Sequence, residues 1–132
     1  VLVTHHDNRC HLVAALADAL LALQRDDPRI HVAIVCRHVE SARRLHNSLA
    51  GAVSARLVED GAFSFGPGIE VTSVHEVKGL EFDVVVVPDL DAATYPDHPD
   101  ARRALYVAVT RPIHRLWLAG AGPRSPLLPT WL

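Results

Sequence analysis

The polar residues that could do chemistry are concentrated in one short segment, residues 71–83, which is bordered by apolar stretches. Its polar members are Thr72, Ser73, His75, Glu76, Lys78, Glu81 and Asp83. The Lys78 ammonium is a point charge suited to phosphate, and Gly79 permits a positive φ or a close backbone approach. A solvated turn with ordinary polar residues is the alternative interpretation. The segment is not a P-loop, because the pattern GxxxxGK followed by Ser or Thr occurs nowhere in the chain.

A second segment, residues 101–112, has cationic residues at helical spacing. Arg103 and Arg111 are eight residues apart, so a helix places their guanidinium groups on one side, about 12 Å from each other. Arg111 directly precedes Pro112, at the expected helix end, where a long side chain can reach beyond its own domain. Such an arginine can neutralise charge on a transferring phosphoryl group. The alternative is a cation that complements the helix C-terminus.

The elements that position these two segments alternate between strand and helix. Apolar runs predict strands over residues 1–4, 31–36, 55–58, 69–74, 83–88 and 115–119. Apolar residues at helical spacing predict helices over 8–25 with Asn8 as N-cap, over 39–49, and over 101–110. Residues 61–68 and 89–100 are expected loops, and 120–132 an irregular tail. This order predicts an α/β fold, a parallel sheet with helices on both faces and 83–88 at its centre, whose ligands meet the carboxyl ends of strands.

Composition limits the function classes. The 132 residues are enough for one domain, and a net charge of −2 excludes a global basic field. Aromatic residues make up 5%, so we expect nucleic-acid contacts with the backbone rather than stacked bases. No zinc-like spacing of Cys and His occurs, and no apolar run approaches the length of a membrane span. The chain contains no Met, which we interpret as a piece of a longer protein. Two cysteines favour a reducing, cytoplasmic setting.

The two segments together resemble motifs V and VI of superfamily 1 DNA helicases of the UvrD/Rep/PcrA type. Residues 74–83 (VHEVKGLEFD) are similar to motif V, and residues 102–111 (RRALYVAVTR) to motif VI. Residues 33–37 resemble motif IV, and residues 123–128 loosely resemble the closing motif of the family. The resemblance implies that residues 1–132 form one RecA-like domain, the second of the two motor domains between which ATP is bound. Such a domain has a P-loop NTPase-like fold without its own P-loop.

The resemblance also implies roles for individual residues. Arg111 is the expected arginine finger and catalytic residue, and Glu81 and Gly79 are expected beside the nucleotide, with Glu81 near its ribose. The expected nucleic-acid contacts are Thr72, His75, Lys78 and Arg37. Arg102 and Arg103 are expected to be half-buried structural residues that pair with carboxylates.

The function implied is that of the C-terminal domain of an ATP-dependent DNA helicase or translocase, inactive by itself. ATP and Mg²⁺ would bind in the complete protein, with an N-terminal RecA-like domain and single-stranded or partly duplex DNA as partners, in the nucleoid-associated cytoplasm and away from membranes. Only residues 49–68 separate motifs IV and V, too few for the helical subdomain of larger members, which favours a branch similar to helicase IV. A helicase-like factor that binds RNA polymerase and a non-catalytic protein-binding module remain alternatives.

Overall fold

A single parallel sheet organises the chain. The computed structural model describes residues 1–64 and 66–132. The strands are β1 (Leu2–His6), β2 (His31–Cys36), β3 (Ala55–Leu57), β4 (Gly68–Ser73), β5 (Phe82–Val87) and β6 (Pro112–Ala121). The helices are α1 (Arg9–Asp26), α2 (Val39–Leu49) and α3 (Pro99–Val109), with a 3₁₀ turn at Val74–Glu76. The strand order is β1-β6-β5-β2-β4-β3 and every pairing is parallel, so the predicted α/β fold is confirmed.

Apolar side chains cover both faces of this sheet. On one face, α1 and α2 bury leucines such as Leu16 and Leu49 against the β2 side chain of Ile34. On the other face, α3 and the 3₁₀ turn pack against Val85 and Phe82 of β5. A strand that is buried on both faces reads as a continuous apolar run, which is why β2 and β5 show no alternation in the sequence. These two strands are the central pair of the sheet.

Local signals place the helix starts. The Asn8 side-chain oxygen accepts a hydrogen bond from the His11 backbone N–H at 2.9 Å, which confirms the predicted N-cap of α1. Helix α3 begins two residues earlier than predicted, at Pro99, because a proline is compatible with a first helical position. The His98 ring nitrogen Nδ1 there accepts the Asp100 backbone N–H at 3.1 Å.

The last strand is longer than predicted. It begins at Pro112, which pairs with Phe82 of β5, and it continues through Ala121, which pairs with His6 of β1. The expected irregular tail therefore starts later than residue 120. The extra length depends on residues that are distant in the sequence. Pairing with β5 extends the start of β6, and pairing with β1 extends its end.

The chain leaves the two central strands in opposite directions. After β2 it forms α2 and continues toward β3, whereas after β5 it forms α3 and continues toward β6. A crevice opens where neighbouring parallel strands diverge in this way, at their carboxyl ends. The connection from β4 to β5 must also pass over β2, and residues 74–81 make it on the face that carries α3.

Gly120 of β6 allows the backbone of Leu90 to approach closely, and a substitution at Gly120 tests how tight this approach is. A Cβ atom at this position would lie 2.5 Å from the carbonyl oxygen of Leu90. We expect Gly120→Ala to lower the free energy of unfolding by about 1–3 kcal/mol, because backbone must shift to admit the methyl group. Urea denaturation with an unchanged m-value measures this loss.

Gly51 provides the matched control, since no atom lies within 4 Å of a Cβ built there. Gly51→Ala should change the free energy of unfolding by less than about 0.5 kcal/mol. Equal stabilities of the two variants would show that the approach of Leu90 to Gly120 is not a tight constraint.

Candidate nucleotide and nucleic-acid site

A groove of about 710 Å³ lies between α3 and the loop of residues 74–81. We call it the α3 groove. Its floor is apolar and is formed by Val74, Ala104 and Val107. Its rim is mostly basic or aromatic, with one carboxylate, and comprises Arg37, His38, His75, Lys78, Asp100, Arg102, Arg103 and Tyr106. The predicted nucleic-acid contacts Arg37, His75 and Lys78 are thus brought together in one groove.

The loop that carries Lys78 is shaped by two residues. Val77 is fully buried and anchors the loop to the α3 face of the core. Gly79 has a φ of +77°, which confirms the predicted positive φ and turns the chain toward β5. The Leu80 backbone N–H closes the turn by donating to the Val77 carbonyl at 3.1 Å. The side chains of His75 and Lys78 are left exposed on either side of this anchor.

Glu81 and Arg111 lie together at the amino ends of β5 and β6. The backbone N–H of Phe82, the residue after Glu81, donates to the Arg111 carbonyl at 3.1 Å. This is the opposite edge of the sheet from the carboxyl ends, where ligands of such folds were expected. The difference arises because Glu81 directly precedes β5 and Arg111 directly precedes β6, so both residues lie where a strand begins. Glu81 is exposed and Arg111 is half-buried.

The Arg111 guanidinium is held by neutral groups alone within residues 1–64 and 66–132. Its Nε donates to the Val107 carbonyl at 3.2 Å, and its Nη2 donates to the Thr110 hydroxyl at 3.1 Å. These contacts fold the side chain against the end of α3, and none of them cancels its charge.

Four other arginines of the chain are neutralised by carboxylates. The ion pairs are Arg43–Glu59, Arg56–Glu70, Arg102–Asp97 and Arg103–Asp100. By contrast, Arg37, Lys78 and Arg111 have no carboxylate within ion-pair distance in the part of the chain that the structure describes. Two of these cations, Arg37 and Lys78, line the α3 groove, and Arg111 donates to the carbonyl of its lining residue Val107.

Arg102 and Arg103 differ from expectation in their burial. Their side chains are 61% and 72% exposed rather than half-buried. The expected pairing with carboxylates is present, but Asp97 and Asp100 at the start of α3 supply it along the surface, where an ion pair contributes little stability.

Thr72 does not reach the groove, and the prediction that it contacts nucleic acid is wrong for its side chain. It is fully buried in β4, and its hydroxyl donates to the Val58 carbonyl at 3.0 Å. The segment that follows β3 packs over this face of β4, so Thr72 fastens that segment to the sheet.

The crevice at the carboxyl ends of β2 and β5 holds a carboxylate that we did not assign to any site. Asp89 accepts the backbone N–H of Arg37 through Oδ2 at 2.8 Å. Its Oδ1 is buried and has no hydrogen-bond partner among the described residues. Burial, reinforced by the negative charge of Asp91, raises the pKa of Asp89 to about 7. Its position directly after a buried strand was the only sequence signal for it.

Two further buried groups adjoin this crevice. Burial raises the pKa of the Cys36 thiol and that of the Tyr95 phenol, and the charge of Asp89 adds to both effects. Asp91 instead stabilises the loop, because its Oδ1 accepts the Thr94 backbone N–H at 2.8 Å. Among the residues described, no group of three or more His, Cys, Asp or Glu could hold a metal ion, and no helix is long and apolar enough to cross a membrane.

Comparisons with known proteins agree with this arrangement of elements. Residues 68–119, which contain the loop, β5, α3 and most of β6, match the family model of the UvrD-like helicase C-terminal domain. The structure superimposes on the C-terminal domain of a possible DNA helicase from Lactobacillus plantarum WCFS1 with a TM-score of 0.83 and 28% identity, covering 96% of this chain and 76% of that one. The resemblance to UvrD-like helicases is confirmed.

A second solved structure shares the fold. The helicase domain of Hef from Pyrococcus furiosus aligns with a TM-score of 0.55 and 17% identity, over 85% of this chain and 26% of that one. No curated protein matches the chain significantly. The helicase C-terminal match covers Glu81, Arg111 and all residues of the α3 groove except Arg37 and His38.

The raised pKa of Asp89 predicts a pH dependence of stability. Between pH of about 4 and about 7 the folded protein retains a proton on Asp89 that the unfolded chain has lost, so the free energy of unfolding falls as the pH rises through this window. Asp89→Asn should remove this decline, so that the variant gains stability relative to the wild type above pH 7. Urea denaturation at pH 4.5, 6 and 8, values chosen on that argument, measures the difference.

Asp91→Asn is the matched control, because an amide oxygen can still accept the Thr94 N–H. Its stability should still fall as the pH rises, as in the wild type, but the decline should end at a slightly lower pH because the charge of Asp91 no longer helps to raise the pKa of Asp89. Parallel profiles for Asp89→Asn and the wild type would contradict the assignment of this titration to Asp89.

Proposed function

We propose that this chain is the second RecA-like motor domain of an ATP-dependent superfamily 1 DNA helicase or translocase. The observation that carries the proposal is the position of three cations without a carboxylate partner, Arg37 and Lys78 in the α3 groove and Arg111 after the end of α3, in a fold that matches a UvrD-like helicase C-terminal domain. Cations without a carboxylate partner are suited to the phosphate oxygens of a ligand. They also favour this function over that of a non-catalytic protein-binding module.

Arg111 is the proposed arginine finger of an ATP site shared with another motor domain. Its guanidinium exchanges two neutral acceptors for phosphate oxygens without breaking an ion pair. It then stabilises the negative charge that develops on the transferring phosphoryl group. ATP and Mg²⁺ need a P-loop and a metal-binding carboxylate, which a partner motor domain would supply, because this chain has no P-loop.

Glu81 and Gly79 are proposed to lie beside the nucleotide. The exposed Glu81 carboxylate can accept hydrogen bonds from ribose hydroxyls, and its backbone is tied to that of Arg111 through the adjacent Phe82 N–H. The turn at Gly79 sets the direction in which Glu81 leaves the loop.

The loop of residues 74–81 is proposed to couple DNA to the nucleotide. Its exposed His75 and Lys78 face the α3 groove and would contact the phosphodiester backbone of a single strand. Its far end is Glu81, beside Arg111. A displacement of the loop by DNA is therefore transmitted over a few residues to the nucleotide edge. A DNA-bound motor of this kind belongs in the nucleoid region of the cytoplasm.

Removal of the Arg111 guanidinium should abolish ATP turnover while sparing ATP binding. In the protein that joins this domain to its P-loop motor domain, we expect Arg111→Ala to lower kcat by about 10³-fold or more, the usual effect of losing an arginine finger. Steady-state hydrolysis and equilibrium binding of a labelled ATP analogue are the two measurements.

Arg115→Ala serves as the control, since Arg115 is exposed on β6 four residues further on. It should hydrolyse ATP at the wild-type rate. If Arg111→Ala also turned over ATP at that rate, the arginine-finger role would have to be abandoned.

The proposed DNA contact of Lys78 is tested by salt dependence. For binding of the chain to a fluorescent single-stranded oligothymidylate, Lys78→Ala should lower the slope of log K against log salt by about 0.7, as expected for one lost phosphate contact. Arg43→Ala, which removes a cation already paired with Glu59, should leave the slope unchanged. An unchanged slope for Lys78→Ala means that Lys78 contacts no phosphate.

A further inference from the structure

A loop that joins β5 to α3 holds Arg37 in a defined orientation. We propose that Asp89, Thr94 and Tyr95 are positioning residues that aim the Arg37 guanidinium at a phosphate group in the α3 groove. This inference rests on the proposed function for the identity of the phosphate ligand. The three residues that we name for this role were assigned no part in any site above.

The first contact fixes the backbone of Arg37. Arg37 directly follows β2, and Asp89 follows β5, its neighbour in the sheet. The Asp89 Oδ2 accepts the Arg37 backbone N–H at 2.8 Å, across the crevice where the two strands diverge. The starting point of the Arg37 side chain is thereby tied to the end of the neighbouring strand.

Two further contacts fix the guanidinium itself. Its Nη1 donates to the Thr94 carbonyl at 2.5 Å, and its central carbon lies 5.7 Å from the centre of the Tyr95 ring. The Tyr95 ring is fully buried, so it forms a rigid support. A cation at this distance from an aromatic face is attracted by the ring without being neutralised.

The support is itself anchored at both ends. Asp91 accepts the Thr94 N–H through Oδ1 at 2.8 Å and the Tyr95 N–H through its carbonyl at 2.9 Å. The buried Ser125 hydroxyl donates to the Tyr95 carbonyl at 2.6 Å. Ser125 therefore fastens the loop that holds Arg37 to the segment of residues 123–128. This contact is a physical role for that segment, which resembles the closing motif of the family.

The choice of partners indicates orientation rather than charge balance. A guanidinium has five N–H donors, and a neutral carbonyl occupies one of them here. No carboxylate contacts the Arg37 guanidinium in the described part of the chain. Arg102 and Arg103, on the same rim, each form an ion pair with a carboxylate. Its charge and its remaining donors are available for a bidentate contact with phosphate oxygens in the groove.

The orientation can be measured without any ligand. We expect the ¹⁵N order parameter of the Arg37 Nε–H bond in the wild-type chain to approach that of rigid backbone amides, about 0.85, whereas the exposed Arg115 should stay mobile. Equal mobility of the Arg37 and Arg115 side chains would overturn the proposal without the need for a variant.

Substitution of Tyr95 separates the ring from the hydroxyl. Tyr95→Phe keeps the ring and removes only a hydroxyl that has no partner among the described residues, so the Arg37 order parameter should be unchanged. Tyr95→Leu removes the aromatic face, and the order parameter of Arg37 should fall while backbone amide spectra remain those of the folded chain. Equal Arg37 order parameters in the two variants would exclude the ring as a support.

Binding tests distinguish whether the Arg37 guanidinium contacts a phosphate of the DNA backbone or a phosphate of ATP. The protein tested is the one that joins this domain to its P-loop motor domain, and the probes are a fluorescent 16-nucleotide oligothymidylate and ATP. We expect Arg37→Gln to weaken one of them about tenfold, Tyr95→Leu to weaken the same one, and the double variant to lose no more than Arg37→Gln alone. A loss with the oligonucleotide assigns Arg37 to the DNA backbone, and a loss with ATP assigns it to the nucleotide.

The outcomes distinguish this inference from the proposed function. Additive losses in the double variant, or an effect of Arg37→Gln on neither probe, would overturn the positioning role while leaving the binding of the wild type intact. Failure of the wild type to bind either probe would count against the proposed function and against a phosphate contact of Arg37. In that case the order parameters would still decide whether the loop holds the side chain.

Discussion

The pairing of β2 with β5 is the interaction on which the rest of the structure depends. The two strands lie side by side in the dry centre of the sheet, with Ile34 opposite Val86, where an unmade backbone hydrogen bond is costly. Because the two strands are parallel neighbours, Arg37 after β2 and Asp89 after β5 lie close together at the carboxyl-end edge of the sheet. Because β4 lies beyond β2, the chain must cross the sheet to reach β5, and that crossing carries Lys78 onto the face of α3.

Electrostatic pairing divides the cations of this domain into two sets. One set, formed by Arg43, Arg56, Arg102 and Arg103, is matched by carboxylates on neighbouring segments. Among the cations without a carboxylate partner, Arg37 and Arg111 are held by carbonyl, hydroxyl and aromatic groups that direct a side chain and leave its charge intact. Such groups keep a cation ready for an anionic ligand, since no competing ion pair must first be broken.

Local sequence signals predicted most of the fold and part of the site. Apolar runs located the strands, Asn8 located a helix start, and the Lys78-Gly79 pair located the turn, because each signal depends only on near neighbours. What failed depended on distant residues. The burial of Thr72 requires the segment after β3 to fold over it, and the support beneath Arg37 requires a register that joins residues more than fifty positions apart.

The parallel pairing of β1 with β6 has a consequence for how the chain acquires this structure. Leu2 lies opposite Trp117, so β1 can join the sheet only after β6, more than a hundred residues further along the chain, is available. Contacts at such sequence separation carry a large loop-closure entropy, and topologies rich in them fold slowly. During synthesis β1 therefore has no partner strand in this sheet until β6 has left the ribosome.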